Sequence, residues 1–444
     1  MNGQVRRAAD GSISWHADHE VLLGPIMLDV NGIRITVDAA QPSRILDLAA
    51  PDEPTLRVAS RMLVEPAVAD AILAADEGSP IPGPMLSDGL LRLVTVCAVD
   101  AIHLGPLDAG VLQLDRAYAL ASVGDSEIRR EYSYAVAVPD RLVDEIEAAD
   151  YSGPFVDRLI DVVSFISHHE DAGSGAERIV DRLVGRSRQS AEFWEIDIAL
   201  ISEPEIAMTL GGSELVATYL SDLRTLPARL LIFSGPESAE VVMRIRGADT
   251  VELTANLRAQ ADASDVVENG VFAVAADPVN GDLLGFAQAE IRADQLYATM
   301  TLASADVSEL FYTFITSDVD LSTLRLDRKG VGLTRIDRYC RHAWTQHRMA
   351  GAMRASLGLG VESGEFSQVM EAADTLQREA VEAMRTARSL VNRWIRRESA
   401  GDQRAALERY RGGVDELRAF IDSPPPLEGP TGPTLAEIHN VVLG

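Results

Sequence analysis

Lysine and aromatic residues are scarce in this chain of 444 residues. Of its 40 basic residues, all but Lys329 are arginine. A genome rich in G and C accounts for that bias, because lysine codons are AT-rich and arginine codons are not. Aromatic residues make up 5% of the chain, so we expect Val, Leu, Ile and Ala to build most of the core.

Cysteines and long apolar runs are also missing. Two cysteines, Cys97 and Cys340, cannot form a disulfide framework, and no CxxC pair is present to bind a metal. No run approaches 18 apolar residues, so we expect no transmembrane helix and no contact with membrane. No apolar run follows the arginines of MNGQVRRAADGSISW, so we expect no signal peptide. These absences favour a cytoplasmic protein.

The common catalytic loop motifs are absent as well. The chain has no GxxxxGK[ST] loop for nucleotide phosphates and no GxSxG turn for a serine nucleophile. Cys340 and His347 share a helical face, but two turns of rise, about 10 Å, would separate them. We therefore expect no cysteine nucleophile, and no cofactor is indicated by a motif.

Negative charge is concentrated at the front of the chain. The formal net charge is −28. Residues 1–324 carry a net charge of −30, and residues 325–444 carry +2. The front part should repel nucleic acid and anionic membrane. Contact with nucleic acid is therefore expected only through the last quarter.

The pattern of strands and helices predicts an α+β fold. Asn31-Gly32 lies between two β-type runs, as in a type I′ hairpin, and Asn280-Gly281 lies at the tip of a second predicted hairpin. Helices and strands alternate irregularly in this strand-rich, acidic body, and a helical C-terminal module follows. The length favours several units. We place them at 1–145, 146–330 and 331–422, with a Pro-rich linker and amphipathic tail at 423–444.

Individual elements follow from the apolar spacing. Apolar, β-branched runs predict strands at 90–104, 110–123, 130–138 and 193–201. A helix is predicted at about 204–224, followed by strands in LLIFSG, VVMRIRG and VELTANL. A strand at 295–304 should extend the second hairpin into a meander. Apolar residues alternate three and four apart from 366 to 394, which predicts one long helix that packs on another.

Lys329 suggests one catalytic hypothesis. Where arginine has replaced nearly every lysine, the survivor can mark a position that needs a compact charge with a tunable pKa. Asp320, Asp327 and Lys329 match the acidic-x-Lys layout of PD-(D/E)xK nucleases, in which carboxylates hold Mg²⁺ and the lysine assists water attack. Two alternatives stay open: Asp-Arg-Lys-Gly is also a turn sequence, and a single surviving lysine can be chance.

The segment RIDRYCRHAWTQHR, residues 335–348, predicts a helix with two faces. Ile336, Tyr339, Cys340, Ala343 and His347 share one side, which we interpret as a core face. The other arc forms a basic stripe of four arginines: Arg335, Arg338, Arg341 and Arg348. The stripe should meet an anion, which is the chain's own body, a partner or phosphate.

The favoured functional hypothesis is a subunit of a larger cytoplasmic assembly. Its contacts would be the arginine-rich helix, the long C-terminal helix and the apolar tail, which carries Leu435, Ile438, Val442 and Leu443. The partner would be another protein or a second copy of the chain. The tail either packs on its own body or docks on a partner. The alternative function is the Mg²⁺-dependent nuclease built on Asp320, Asp327 and Lys329.

Overall fold

The computed structural model confirms an α+β fold with antiparallel sheets and a helical C-terminal region. Within the described part of the chain, no helix is long and apolar enough to cross a membrane. The residues that the structure describes are 2–17, 22–63, 66–124, 135, 137–149, 151, 153–169, 173–187, 216–246, 249–258, 270–302, 307–357, 363–398 and 400–443.

The first β-sheet has six strands in the order β3-β4-β5-β2-β1-β6. Its strands are β1 (Asn2–Arg7), β2 (Ile13–Ala17), β3 (Pro25–Val30), β4 (Ile33–Asp38), β5 (Gln41–Ala50) and β6 (Pro80–Pro82). Asn31 and Gly32 have φ angles of 50° and 81°. Both are positive, as a type I′ turn requires, so the first predicted hairpin is confirmed.

Seven helices of the described chain belong to this part of the protein. They are α1 (Glu53–Ala59), α2 (Ala67–Ala74), α3 (Asp88–Ile102), α4 (Ala109–Val123), α5 (Val138–Ala148), α6 (Pro154–His169) and α7 (Gly173–Ser187). A 3₁₀ turn, Ser60–Met62, follows α1. Helices α1, α2 and α3 pack on the sheet, and the other four pack against α3 and one another.

The strands predicted at 90–104 and 110–123 are wrong, because these residues form α3 and α4. Both helices are apolar on most sides, and a continuous apolar run does not distinguish a buried helix from a buried strand. The local signals for a helix were the caps. The Ser87 hydroxyl and the Asp108 carboxylate accept hydrogen bonds from Leu90 N and Val111 N, at 3.5 and 2.9 Å.

A second β region follows. Five strands pair in the order β12-β13-β9-β8-β7, and three pair in the order β11-β10-β14. The strands are β7 (Val216–Tyr219), β8 (Val241–Ile245), β9 (Thr250–Asn256), β10 (Val271–Ala276), β11 (Leu283–Gln288), β12 (Glu290–Arg292), β13 (Gln295–Thr301) and β14 (Phe311–Thr316).

Several predictions in this region can be compared with the structure. The hairpin around Asn280-Gly281 and the strands β8 and β9 are confirmed. The meander is wrong, because β13 pairs with β9 along seven residues while β14 takes the second edge of β10. Residues 216–219 of the predicted helix form a strand, and Leu231 makes only an isolated bridge to Leu257. The remaining predictions at 130–138, 193–201 and 204–215 lie mostly or wholly outside the described residues.

Four helices complete the chain: α8 (Arg328–Ala355), α9 (Ser363–Arg397), α10 (Asp402–Ile421) and α11 (Leu435–Val442). The predicted long helix is α9, and it packs along α8 and α10. The apolar tail forms α11, which packs on α4, α6 and α8 of its own chain. Of the two alternatives for the tail, the structure therefore has the one in which it packs on its own body.

Buried apolar side chains of the described residues form one large core, one smaller core and a cluster of four: Leu104, Leu223, Ala228 and Phe233. The large core joins the six-stranded sheet and α1–α7 to α8–α11, and it includes Trp15, Leu142 and Trp344. The smaller core lies between the two sheets of the second β region and includes Met243 and Phe314. The first and last thirds of the chain therefore share a core, and the second β region has its own. The four-part division of the sequence stays a prediction.

Candidate functional site

Asp327 and Lys329 lie at the start of α8 and not at the end of a strand. The Asp327 carboxylate accepts a hydrogen bond from Gly330 N at 2.7 Å and caps the helix. Asp320 precedes a 3₁₀ turn, Leu321–Thr323, and its carbonyl accepts hydrogen bonds from Thr323. The nuclease layout places its acidic-x-Lys motif at the end of a strand, whereas here Asp327 caps and starts a helix.

Lys329 contacts other helices of the C-terminal region. Its exposed ammonium donates to Gln403 Oε1 at 2.8 Å and lies 3.7 Å from Glu398 Oε1. These contacts tie the start of α8 to the neighbouring ends of α9 and α10. Among the described residues, no group of three or more His, Cys, Asp or Glu side chains could hold a metal ion. The nuclease hypothesis stays a prediction without a carboxylate cluster to support it.

Three of the four arginines in the basic stripe lie inside the protein. Arg338, Arg341 and Arg348 are buried, and Arg335 is 46% exposed. Of the predicted core face, Ile336, Cys340, Ala343 and His347 are buried, but Tyr339 is half-buried and its hydroxyl donates to Glu237. A helical wheel does not say which of the other faces meets water. Because α8 is enclosed by other elements, its basic face needs partners within the chain.

Arg338 joins α8 to the loop before β8. Its guanidinium forms a two-pronged ion pair with Glu240, at 2.6 and 2.9 Å. It also donates to four carbonyls, those of Ser221, Gly235, Pro236 and Ser238, at 2.6–3.2 Å. The exposed Arg335 pairs with Glu237 of the same loop at 2.6 Å. The buried positive charge of Arg338 is therefore balanced by the buried Glu240 carboxylate, and all three guanidinium nitrogens donate hydrogen bonds.

Arg341 and Arg348 hold two further parts of the chain. Arg341 donates to the carbonyls of Ala101 and Leu23 at 3.2 and 3.3 Å, and burial lowers its pKa to about 10. Arg348 forms a two-pronged pair with Glu437 of α11, at 2.5 and 2.9 Å. It also donates to the carbonyls of Thr431 and Gly432 at 2.7 and 2.9 Å. Both arginines therefore meet acceptors within their own chain.

The tail helix is held by charge as well as by apolar packing. Burial acts to raise the pKa of Glu437, but Arg348 outweighs it and keeps that pKa below its ordinary value. The Asp115 carboxylate of α4 accepts hydrogen bonds from Leu435 N and Ala436 N, at 3.0 and 2.9 Å. It thereby caps the first turn of α11 from outside the helix. Burial nevertheless raises the pKa of Asp115 to about 6.

Asp337, also on α8, anchors a second buried network. Its carboxylate accepts hydrogen bonds from Arg325 and from the Tyr410 hydroxyl of α10, and Arg224 lies 3.8 Å away. Burial raises the pKa of Asp337, although Arg325 opposes this effect. Together with the arginines, this carboxylate makes α8 the element to which separate parts of the chain are fastened.

The cysteine and histidines of α8 have structural surroundings. Burial raises the pKa of the Cys340 thiol well above its ordinary value, so the reactive thiolate is disfavoured. Burial lowers the pKa of His347 to about 4, and its Nδ1 lies 3.0 Å from Gln377 Oε1 of α9. Cys340 is therefore not activated as a nucleophile, as the sequence predicts.

A separate apolar surface lies on the second β region. Strand β11 pairs with β10, and among the described strands no other strand pairs with it. Phe286 is 75% exposed. Its ring lies edge-on to the ring of Phe272, with the ring centres 6.4 Å apart. We call the exposed apolar residues here the β11 surface: Val279, Leu283, Leu284, Phe286 and Ile291.

The β11 surface lacks the features that normally protect an edge strand. No charged residue occurs between Asp282 and Glu290. By contrast, the edge strand β3 begins at Pro25 and carries an Asp29–Arg34 ion pair of 3.3 Å beside its exposed Met27. Proline and charge discourage the addition of another strand, so β3 is protected and β11 is not. An uncharged apolar stretch in an acidic chain was the sequence signal for this surface, and the sequence reasoning missed it.

Comparison with known proteins assigns no family. No family model matches the chain, and no curated protein or solved structure matches it significantly.

Proposed function

We propose that the protein is a subunit of a cytoplasmic assembly and that its contact is the β11 surface. The observation that carries this proposal is an exposed, uncharged edge strand with adjacent apolar side chains. Unpaired N–H and C=O groups along such an edge are ready to bond to another strand. Neither Cys97 nor Cys340 forms a disulfide, which supports a cytoplasmic location.

The partner that we propose is a second copy of the chain, paired through antiparallel β11 strands. A two-fold axis at Gly285 would place Leu284 of each copy opposite Phe286 of the other. Such aliphatic–aromatic pairs across strands are favourable, and no like charges would face each other within β11. Because both chains are strongly acidic, an uncharged strand is a favourable place for them to meet.

This contact differs from those that the sequence suggested. The arginine-rich helix and the tail bond mainly to residues of their own chain. The long helix α9 is covered along one side by α8 and α10. The β11 surface is thus better placed than these elements to meet a second molecule.

Light scattering coupled to size-exclusion chromatography tests the proposal over a dilution series. We expect a dimer for the wild type, strengthened by salt because salt screens the repulsion between acidic chains. Phe286→Glu should yield monomers, since it places two like charges at the pairing site. Met27→Glu is the matched control on β3, where Met27 is 70% exposed, and it should stay dimeric.

Two results would contradict the proposal. One is a wild type that is monomeric at all concentrations and salt levels. The other is an equal decrease in the molecular mass measured by light scattering for Phe286→Glu and Met27→Glu. Circular dichroism of both variants checks that each remains folded.

A further inference from the structure

A cavity of about 360 Å³ lies beside the tail, apart from the β11 surface. Its walls come from α3, α4 and α6, and from residues 427–434, which lead into α11. Its size lies within the range of small-molecule sites, about 300–1,000 Å³. It is therefore large enough for an organic ligand as well as for a single ion.

Two arginines in this cavity donate no hydrogen bond to a described residue. Arg92 of α3 and Arg158 of α6 are half-buried and line the same space. Among the described residues, neither guanidinium donates a hydrogen bond or forms an ion pair. The Arg92 guanidinium stacks over the Tyr118 ring, 4.8 Å from its centre. These two arginines thus differ from those of α8, each of which has a bonding partner.

The unpaired state of these arginines is unfavourable in the free protein. Burial lowers the pKa of Arg158, Asp115 raises it, and repulsion from Arg92 lowers it further. Two neighbouring positive charges that are partly shielded from water repel each other, and an anion bound between them would offset that repulsion. The chain has 68 acidic residues, so a lack of carboxylates does not explain the arrangement.

The carboxylates around the cavity are used elsewhere or lie at its mouth. Asp115 bonds to the N-terminal amides of α11, and Glu437 pairs with Arg348. Asp157 and Asp161 line the cavity from the exposed side of α6, and the exposed Glu428 lines it from the segment before α11. Oxygen atoms at the mouth can accept hydrogen bonds from hydroxyl groups of a ligand, while Val162 and Leu427 supply apolar contacts.

We propose that this cavity binds a small phosphate monoester, with its phosphate on Arg92 and Arg158 and its hydroxyl-bearing part toward Asp157 and Asp161. Guanidinium groups suit this ligand because their planar N–H pairs match two phosphate oxygens at once. A sugar phosphate and a mononucleotide share this chemistry. The site does not depend on the proposed dimer, since its residues lie outside the second β region.

Isothermal titration calorimetry with ribose 5-phosphate, AMP, adenosine, inorganic phosphate and succinate tests the proposal. We expect ribose 5-phosphate or AMP to bind, and their relative affinities distinguish a sugar phosphate from a nucleotide. Adenosine should not bind, and inorganic phosphate should bind more weakly than the esters. Arg92→Gln and Arg158→Gln should each weaken ester binding about tenfold or more, whereas Arg385→Gln on exposed α9 should not.

Unfolding without ligand distinguishes a binding role from a structural one. Because neither guanidinium donates a hydrogen bond to a described residue and the two repel each other, Arg92→Gln and Arg158→Gln should unfold at the same temperature as the wild type or higher. Hydrogen exchange should slow in residues 427–434 when the ester is bound, since this segment forms one wall.

Several outcomes would overturn the inference. They are no binding of either ester, equal affinity for bare phosphate or succinate, or unaltered ester binding in both cavity variants. Marked destabilisation of the free protein by either glutamine substitution would also overturn it, because it would make the arginine a structural residue.

Discussion

Arg338 is the residue whose contacts are most concentrated. Six hydrogen bonds join its guanidinium to Glu240 and to four backbone carbonyls, and both charged side chains are buried. Hydrogen bonds to charged, buried groups are the ones whose loss is most costly, since the remaining partner keeps its desolvation penalty. This single side chain therefore fixes the distance between α8 and the second β region.

Replacing Arg338 should destabilise the protein strongly. Arg338→Ala leaves Glu240 buried without its counter-charge, and we expect a loss of about 3–5 kcal/mol in the free energy of unfolding. Arg335→Ala is the matched control on the same helix. It removes an exposed pair with Glu237, so the loss should stay within about 1 kcal/mol. Urea unfolding of both variants measures the difference, and equal losses would contradict this reading of the two pairs.

For the arginines of α8, the sequence predicts the position on the helix but not the residues that they contact. Spacing placed Ile336, Cys340 and Ala343 on a core face, and all three are buried. The spacing does not identify the ion-pair partners of the arginines, because Glu240 is 98 residues from Arg338 and Glu437 is 89 residues from Arg348. Hydrophobic periodicity describes one helix, whereas the burial of its charged face depends on elements that fold against it.

Among the elements, α11 illustrates how a short helix is held by distant groups. It contributes a capping box of its own, in which Thr434 and Glu437 bond to each other's backbone. The Asp115 carboxylate accepts hydrogen bonds from the backbone amides of Leu435 and Ala436. Glu145 Oε2 lies 3.0 Å from His439 Nε2. Leu435, Ala436 and Ile438 are buried in the large core. The tail is therefore an integral part of the fold.

Ending the chain at Ser423 should consequently impair folding. Loss of the buried apolar side chains of α11 should lower the free energy of unfolding on the order of 5 kcal/mol. It would also leave Arg348 and Asp115 without their partners. Urea unfolding and binding of a hydrophobic dye measure the effect. A truncated chain as stable as the wild type would show that α11 does not support the core.

A pair of point variants separates charge from packing in this element. Glu437→Gln keeps the helix but removes the charge that faces Arg348, so it should destabilise measurably. Glu428→Gln, at an exposed position of the same tail, should have little effect.

At the same scale, turns were easier to predict than helices and strands. Asn31-Gly32 encodes its hairpin locally, because both φ angles are positive there. The apolar residues of α3 indicate a buried segment, but a buried segment can be either a helix or a strand. The sequence did not predict the pairing of β13 with β9 either, since which strands become neighbours depends on side-chain packing across the whole sheet.

For the molecule as a whole, buried histidines make stability depend on pH. Burial lowers the pKa of His103, His342 and His347 from 6.5 to about 4. The unfolded chain therefore takes up protons at a higher pH than the folded chain. This contribution to stability is present above pH 6.5 and is lost as the pH falls toward 4. Asp115 acts oppositely, because its pKa is raised and its protonation favours the folded state below about pH 6.

The histidines should dominate this balance. We expect the free energy of unfolding to fall by on the order of 5 kcal/mol between pH 7 and pH 4.5, measured by urea unfolding. His347→Gln should flatten the dependence, since it removes one of the three titrating histidines. His168→Gln, at an exposed position of α6, is the control and should leave the slope unchanged. A slope that is the same in all three proteins would exclude His347 as its source.

The position of α8 in the chain has a consequence for biosynthesis. A ribosome delivers the N-terminal residues first, and domains generally begin to fold as they emerge. Here the helix that fastens Leu23, Ala101 and Glu240 begins only at Arg328. Until it emerges, the nascent chain exposes the apolar surfaces that later bury Trp344 and Ile336, and Glu240 lacks its arginine. The first three-quarters of the polypeptide must therefore remain soluble in an unfinished state, and its net charge of −30 supplies the repulsion that keeps such nascent chains apart.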